Sequence, residues 1–468
     1  MAMQLKPLSE NKTALFNILS TVIIAGVNFF TIPIFTRMLD TDGYGVVNVY
    51  SAWVSIFVVF IGLKADGSIG TAKANLPEKE QDSYQLSILA LSTVSFLVIV
   101  AFVLLFLQPI SELLGLNPIL VVCMVVQSFG AFVISLFSMR FIFKKQAQLN
   151  FAISVGICLA TTALSVFLVF FVFTGDDAYM GRVLGLCIPN AALGVALALG
   201  LAFKKRGAIK FKYWRFCLAL TLPLIFHGLS QLVLGQTGKI VIQQSCGDSL
   251  AGVYSIAVVI VTLLNSIYGA LNNAFVPFMY DDLAGKTSSD VKMSHFRNYF
   301  TSFTLGTAAF VLVAPEILKL MSTEAYWGAI PLLPLLTVGQ YCVFLYSFPV
   351  NYEFYSMKTR SIAVGTVLAA ALNIALTLSL VSGFGMMGAA FSTMVAYLAL
   401  FVFHFCIARF ALGDRNYPAR YYAVGLAFVL VASFACYPLS DLVVVRWVVA
   451  LLALARVGLR IYRTKSIF

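Results

Sequence analysis

The chain is a succession of apolar runs, each long enough to cross a bilayer and joined to the next by a short polar connector. A helix needs about 20 apolar residues to span the hydrocarbon. Runs of that kind occur at roughly 13–36, 45–66, 86–107, 118–140, 150–173, 181–203, 216–243, 250–275, 297–320, 328–351, 360–382, 386–410, 420–438 and 442–460, fourteen in all. Lipid offers no water to backbone N–H and C=O groups, so each run must satisfy them internally, as a helix. Composition agrees: 61% of residues are hydrophobic and 11% charged, far from a soluble domain. The expected fold is an all-α polytopic membrane protein with about 14 transmembrane helices. The first run follows Lys6 and Lys12 and precedes no small-residue cleavage site, so it reads as a span and not a removed signal peptide.

Charge placement sets the expected topology. With the N-terminus in the cytoplasm, 26 of the 31 Lys and Arg residues fall in inside segments. Five remain outside: Arg37, Arg182, Lys239, Lys319 and Arg446. Positive charge is retained on the side from which the chain inserts, so this split favours two cytoplasmic termini. The densest inside segment is Phe203–Arg215, with six basic residues (Lys204, Lys205, Arg206, Lys210, Lys212, Arg215) and no acid. Six spans precede it and eight follow, so it reads as a strap between two halves. The net charge of +12 then reflects topology and contact with anionic lipid, and nucleic acid is not an expected partner. The longest polar connectors, about 67–85 and 281–297, are both inside, and the second is expected on the membrane surface.

A weak internal repeat supports two halves. Asp42-Gly43-Tyr44-Gly45 enters the second span and Asp248-Ser249-Leu250-Ala251-Gly252-Val253-Tyr254 enters the eighth. The expected organisation is an N-lobe at 1–203, a basic connector at 204–215, a C-lobe at 216–411 and two additional spans at 412–468. Parallel repeats of this kind occur in transporters.

Signatures of catalysis are missing. Gly383-Phe384-Gly385-Met386-Met387-Gly388 fits G-x-G-x-x-G, but it joins two membrane runs and has no acid about twenty residues on. A tight turn with close helix packing explains it. His227, His295 and His404 have no paired spacing that suits a metal, and the eight cysteines form no C-x-x-C. No catalytic residue, metal or cofactor is expected.

Polar residues inside spans are the stronger signal, because each costs free energy unless it faces protein or water. At about 100° per residue, Asn17, Thr21, Asn28 and Thr31 form one stripe on the first span. Asn265, Tyr268 and Asn272 share a face of the eighth, and Gln340, Ser347 and Asn351 a face of the tenth, with Tyr355 nearby. On the seventh, His227, Gln231, Gly235 and Lys239 recur every four residues. Helix–helix hydrogen bonding accounts for such stripes as simply as a water-filled path does. Lys239 could likewise snorkel to the interface. Lys64 and Arg140 end the second and fourth spans, and Arg37 ends the first. These residues are the candidate substrate path. Asp66 and Glu353 are the candidates for ion coupling, although Glu353 could equally pair with Lys358.

The residues Arg37-Met38-Leu39-Asp40-Thr41-Asp42-Gly43-Tyr44-Gly45, Gly252-Val253-Tyr254-Ser255 and Gly385-Met386-Met387-Gly388-Ala389-Ala390-Phe391-Ser392-Thr393, the last after an Asn373-containing span, resemble one family. It is the O-antigen flippases of the Wzx type. They are the polysaccharide-transport branch of the multidrug/oligosaccharidyl-lipid/polysaccharide (MOP) exporter superfamily. The resemblance spans about residues 13–411. It implies two six-helix lobes around a cationic cavity, alternating access, and an undecaprenyl-diphosphate-linked oligosaccharide as cargo in the bacterial cytoplasmic membrane. It also points to an O-antigen polymerase and a chain-length regulator as partners beside membrane lipids. One departure stands out: family members often carry an acid beside the basic residue of the seventh span, where this chain has Gly238. A MATE-like drug or cation antiporter, a membrane-embedded polysaccharide polymerase and a structural scaffold stay open as alternatives. The first would favour buried carboxylates, the second large outside loops with Arg or His, and the third no polar stripes.

The topology is directly testable. Reporter fusions at Lys210 and at Leu116 are expected to report opposite sides of the membrane, because the charge split places only the first inside. Signals from the same side would overturn it.

Overall fold

The computed structural model describes residues 10–203 and 207–464. Lys6, Lys204, Lys205, Arg206 and Lys465, and the side chains of Lys12 and Asn17, lie outside the described residues. Within them the chain is helical, with no strand. The helices are α1 (Glu10–Met38), α2 (Thr41–Gly62), the short α3 (Ile69–Asn75), α4 (Glu78–Leu105), the short α5 (Leu107–Leu114), α6 (Pro118–Phe143), α7 (Ala147–Phe171), α8 (Ala178–Ala202), α9 (Phe211–Cys246), α10 (Asp248–Leu283), α11 (Ser289–Met321), α12 (Leu333–Tyr355), α13 (Thr359–Cys406), α14 (Ala419–Ala435) and α15 (Val443–Thr464).

Among the described residues, eleven helices are long and apolar enough to cross a membrane. The protein is therefore a multi-pass membrane protein. Helix α13 carries two of the expected spans across a kink at Gly385, whose φ of 52° and ψ of −133° suit only glycine. The expected tight turn with close helix packing is present there: two helices meet at Gly385, and a Cβ on Gly388 would come within 2.5 Å of the Leu380 carbonyl across the turn. Counting α13 twice and adding α14 and α15 gives about fourteen crossings. Several helices outrun their apolar runs. Helices α9 and α10 have 36 residues each, about 54 Å at 1.5 Å per residue, against a hydrocarbon core of about 30 Å. The 281–297 connector is accordingly mostly helix: only 284–288 separate α10 from α11. Ser288 caps α11 through Val291 N, and Asp282 pairs with His295 at 3.1 Å across the turn.

The chain forms two compact units, Met1–Leu232 and Val233–Phe468, which divide inside α9. The first unit is packed on small residues. A Cβ on Gly194 of α8 would meet Gly130 Cα of α6 at 2.5 Å, and one on Gly130 would run into the Asn190 carbonyl. A Cβ on Gly185 would likewise collide with Ser165 of α7, and one on Gly62 of α2 with the Phe132 ring. Small residues let membrane helices approach closely where the hydrophobic effect supplies no drive. Tyr50 of α2 donates to Gln127 of α6 at 2.6 Å and closes the seam.

The second unit is packed on aromatic rings. Phe303 and Phe344 lie 4.3 Å apart, Phe275 and Tyr299 4.5 Å, and Phe296 stacks on Tyr417 at 4.2 Å. These rings join α10, α11 and α12 to the segment leading into α14. Helix α15 is tied to α11 by Arg446, which is 2% exposed. Its guanidinium reaches Glu316 at 2.5 and 3.1 Å and the Leu312 carbonyl at 2.8 Å.

The backbone contact between α6 and α8 leaves no flexible side chain to yield. Gly130→Ala and Gly194→Ala are therefore expected to lower the apparent melting temperature in detergent by several degrees, from overpacking of about 1–3 kcal/mol. Gly156→Ala on α7, where a Cβ meets nothing within 4 Å, should leave it unchanged. Equal shifts in all three would sink the close-approach account.

Candidate functional site

Lys239 lies in the second unit, two turns before the end of α9. It is 8% exposed, and no ion pair or hydrogen bond engages its ammonium among the described residues. The neighbouring Gly238 explains why no acid stands beside it. A Cβ there would meet the Tyr254 hydroxyl of α10 at 2.5 Å and its ring at 2.8 Å. The tip of the Tyr254 side chain fills the space beside Gly238, so a larger side chain there would have to displace the phenol. One turn earlier on the lysine's face, Gly235 is exposed and a Cβ would meet nothing within 4 Å. Open space therefore borders the helix one turn from the lysine.

The stripes expected on the eighth and tenth spans meet. Gln340 of α12 donates to Asn265 of α10 at 2.9 Å, and the Ser347 hydroxyl donates to the Phe344 carbonyl within α12 at 2.7 Å. The result is a polar seam between α10 and α12. Asn265, Ser266 and Asn273 are exposed in mid-helix. The Asn272 side-chain oxygen is buried with no hydrogen-bond partner. Asn351 lies half-buried further along α12.

Glu353 does not pair with Lys358. Its Oε1 lies 2.6 Å from His404 Nδ1 of α13, and its Oε2 accepts from Ser361. Both Glu353 and His404 are fully buried. The His404 ring also fits against Gly365, where a Cβ would come within 2.8 Å of Nε2. This is a buried acid–imidazole pair that ties α12 to α13.

In the first unit, Lys64 sits in the left-handed region (φ 52°) just after α2. Its stem crosses Gly228 of α9, where a Cβ would meet Lys64 Cε at 2.7 Å, one residue from His227. No side chain engages the Lys64 ammonium among the described residues. Asp66 lies in the short 3-10 turn Ala65–Ser68 and accepts from Ser135 of α6 at 2.7 Å. Arg140 is differently placed. It is buried, pairs with Asp82 of α4 at 2.9 Å and also donates to Gln85. Its charge is already balanced. His227 and Gln231 are half-buried on α9, Asn28 is exposed on α1, and the Asn28 carbonyl accepts from Thr31 at 2.9 Å. Arg37 is exposed and folds back onto the Pro33 carbonyl at 2.9 Å.

The described part of the basic strap is docked, not loose. Glu80, in the first turn of α4, takes Tyr213 at 2.6 Å and Lys212 at 3.3 Å. Ala208 N donates to Ser83 at 3.2 Å, Lys210 N to Ser87 Oγ at 3.0 Å, and the Trp214 indole to the Ser87 carbonyl at 2.8 Å. The strap is therefore held by α4 as well as by its two ends.

Sequence periodicity missed three groups. His404 sits in an unbroken apolar run, and its partner is 51 residues away. Asp82 was hidden in a connector. Arg182 passed for an outside charge, but its guanidinium lies 3.9 Å over the Phe35 ring and donates to Ser165 at 2.9 Å.

Comparison with known proteins follows the same lines. The sequence family described as polysaccharide biosynthesis protein matches residues 11–281, more than half of the chain. An uncharacterized membrane protein of Haemophilus influenzae is 26% identical over 359 residues, covering 73% of this chain and 83% of its own length. Among solved structures, the lipid II flippase MurJ in an inward closed conformation aligns with a TM-score of 0.65 at 13% identity, covering 97% of this chain and 99% of that one. An inward-facing MATE family multidrug transporter of the MOP superfamily aligns at 0.60 and 12% identity, over 84% of this chain and 98% of that one. The fold is that of the MurJ and MATE transporters. With 271 of its 468 residues matched by the family, this chain belongs to the polysaccharide biosynthesis protein family.

Proposed function

We propose that this protein is a flippase for a lipid-linked oligosaccharide. In this reading it moves an undecaprenyl-diphosphate-linked O-antigen repeat unit from the inner to the outer leaflet of the bacterial cytoplasmic membrane by alternating access. The carrying observation is Lys239, a lysine buried in a membrane helix with no partner beside open space. A charge so placed costs at least about 2.5–3.5 kcal/mol on insertion scales, so it is rarely idle. A diphosphate would supply its counter-charge, and Lys64 is a second cation free to take part. Arg140 would act mainly by holding α4 to α6, because Asp82 already neutralises it.

The rest of the cargo fits what lines the helices. Sugars need amides, hydroxyls and ring faces, and the α10–α12 seam offers Asn265, Tyr268, Asn272, Gln340, Ser347 and Asn351. His227, Gln231, Asn28 and Arg37 are the candidates for a path within the first unit. The prenyl tail can remain in lipid throughout, so no bond in the cargo need be made or broken. Glu353 with His404 is the better placed of the two candidates for ion coupling, because the pair is fully buried. Asp66, hydrogen-bonded to Ser135, is the other. A polymerase and a chain-length regulator would take over the flipped unit.

The test is complementation of a flippase-null strain. Loss of the protein should leave lipid-linked units unpolymerised on the inner leaflet while their synthesis continues. Lys239→Arg should keep part of the activity, and Lys239→Ala and Lys239→Glu should lose it at unchanged protein level. An interfacial anchor would tolerate change, since water already satisfies it. Full O-antigen restoration by Lys239→Glu would therefore remove the lysine from the path.

A further inference from the structure

Four arginines converge where α15 ends. Arg456, Arg460 and Arg463 follow one another at spacings of four and three, so they share one face of the helix. Arg297, near the start of α11, joins them around a cavity of about 840 Å³. Thr301, Ser302, Leu305, Leu452 and Leu459 complete the wall, and no acidic residue contributes to it. Arg460 donates to Asn298 and lies within the repulsive fields of Arg297 and Arg456. Arg297, Arg456 and Arg463 remain exposed.

Several cations elsewhere in the chain have an acid beside them. Arg140 has Asp82, Lys212 has Glu80, and Arg446 on the same α15 has Glu316. Like charges gathered without an acid repel one another, and that cost falls when an anion is bound between them. The leucines beside the arginines make the anion's carrier a lipid: a free phosphate would use the guanidinium end and leave the apolar wall uncovered.

We propose that the groove between α11 and α15 binds an anionic glycerophospholipid, with its headgroup phosphate on Arg297, Arg456, Arg460 and Arg463 and an acyl chain along Leu305, Leu452 and Leu459. Arginine suits that role because its planar fork meets two phosphate oxygens at once. Basic pockets between membrane helices bind lipid headgroups by this logic. The site makes no use of Lys239 and stands independently of the cargo.

The experiment uses the full chain, purified in a nonionic detergent and delipidated. Phosphatidylglycerol, phosphatidylethanolamine, inorganic phosphate and farnesyl diphosphate are titrated separately while thermal unfolding is followed. Phosphatidylglycerol should raise the melting temperature, and phosphatidylethanolamine and inorganic phosphate should not. Each arginine removed should weaken the lipid about fivefold, so Arg456→Gln with Arg463→Gln should weaken it about 25-fold. Lys79→Gln with Lys145→Gln, which removes the same charge elsewhere, should retain wild-type affinity. If the double arginine variant proves less stable without lipid, Arg297→Gln alone carries the test, with a fivefold loss expected. Equal weakening by both double variants would reveal diffuse charge attraction and overturn the site. So would stabilisation by inorganic phosphate alone. Displacement of phosphatidylglycerol by an equal concentration of farnesyl diphosphate would reassign the groove to prenyl diphosphates.

Discussion

The structure depends on how charge is satisfied away from water. A charged group in hydrocarbon is costly, and a partner on a neighbouring helix is the usual remedy. Arg140 with Asp82, Arg446 with Glu316 and His404 with Glu353 each bridge two helices. Each bridge fixes a register between those helices, because removal of one member would strand the other. Against that pattern, Lys239 is conspicuous for what it lacks. Lys239 is about as buried as Arg140, yet the residue beside it is a glycine pressed against the Tyr254 phenol. The phenol takes the space that a carboxylate at that position would need.

The two compact units reach dense packing by different means. The first relies on glycines at Gly130, Gly185 and Gly194, which bring backbones together and leave little side-chain area to bury. The second relies on large rings around Phe296, Phe300, Phe344 and Phe348, which interlock at centroid distances of about 4–6 Å. In lipid both devices work through contact and not through escape from water. The second unit also holds the polar seam of α10 and α12.

The helical content and the number of crossings were legible in the sequence because hydropathy reports length in lipid directly. The turn at Gly385 was legible, because the glycine-rich stretch between two apolar runs marks both the positive φ and the close packing that follows it. Helix ends were not legible. Amphipathic turns such as those at 276–283 and 289–296 continue a helix without being apolar, so a hydropathy reading stops short of them. Among site residues, stripes with period 3.6 were readable. Asn265 and Gln340, 75 residues apart, therefore appeared as two faces before they appeared as one contact. The Glu353–His404 pair was not readable, since no period connects two single residues on different helices.

A fold shared at 12–13% identity with a lipid II flippase and a multidrug transporter does not choose between their cargoes. The choice has to come from the chemistry that lines the helices. A cationic drug would call for unpaired carboxylates, but the fully buried Glu353 is engaged by His404 and Ser361, and Asp282 is engaged by His295 and Thr287. Among the described residues, the ionic groups without an opposite charge include Asp66, which meets the Ser135 hydroxyl, and two lysines in or beside a membrane helix. Lys64 and Lys239 both lie on or against α9, and both are presented without an acid. In the proposed reading these two lysines favour a negatively charged load, and a diphosphate tethered to sugars and a prenyl tail would meet the amides, the rings and the lipid in a single molecule.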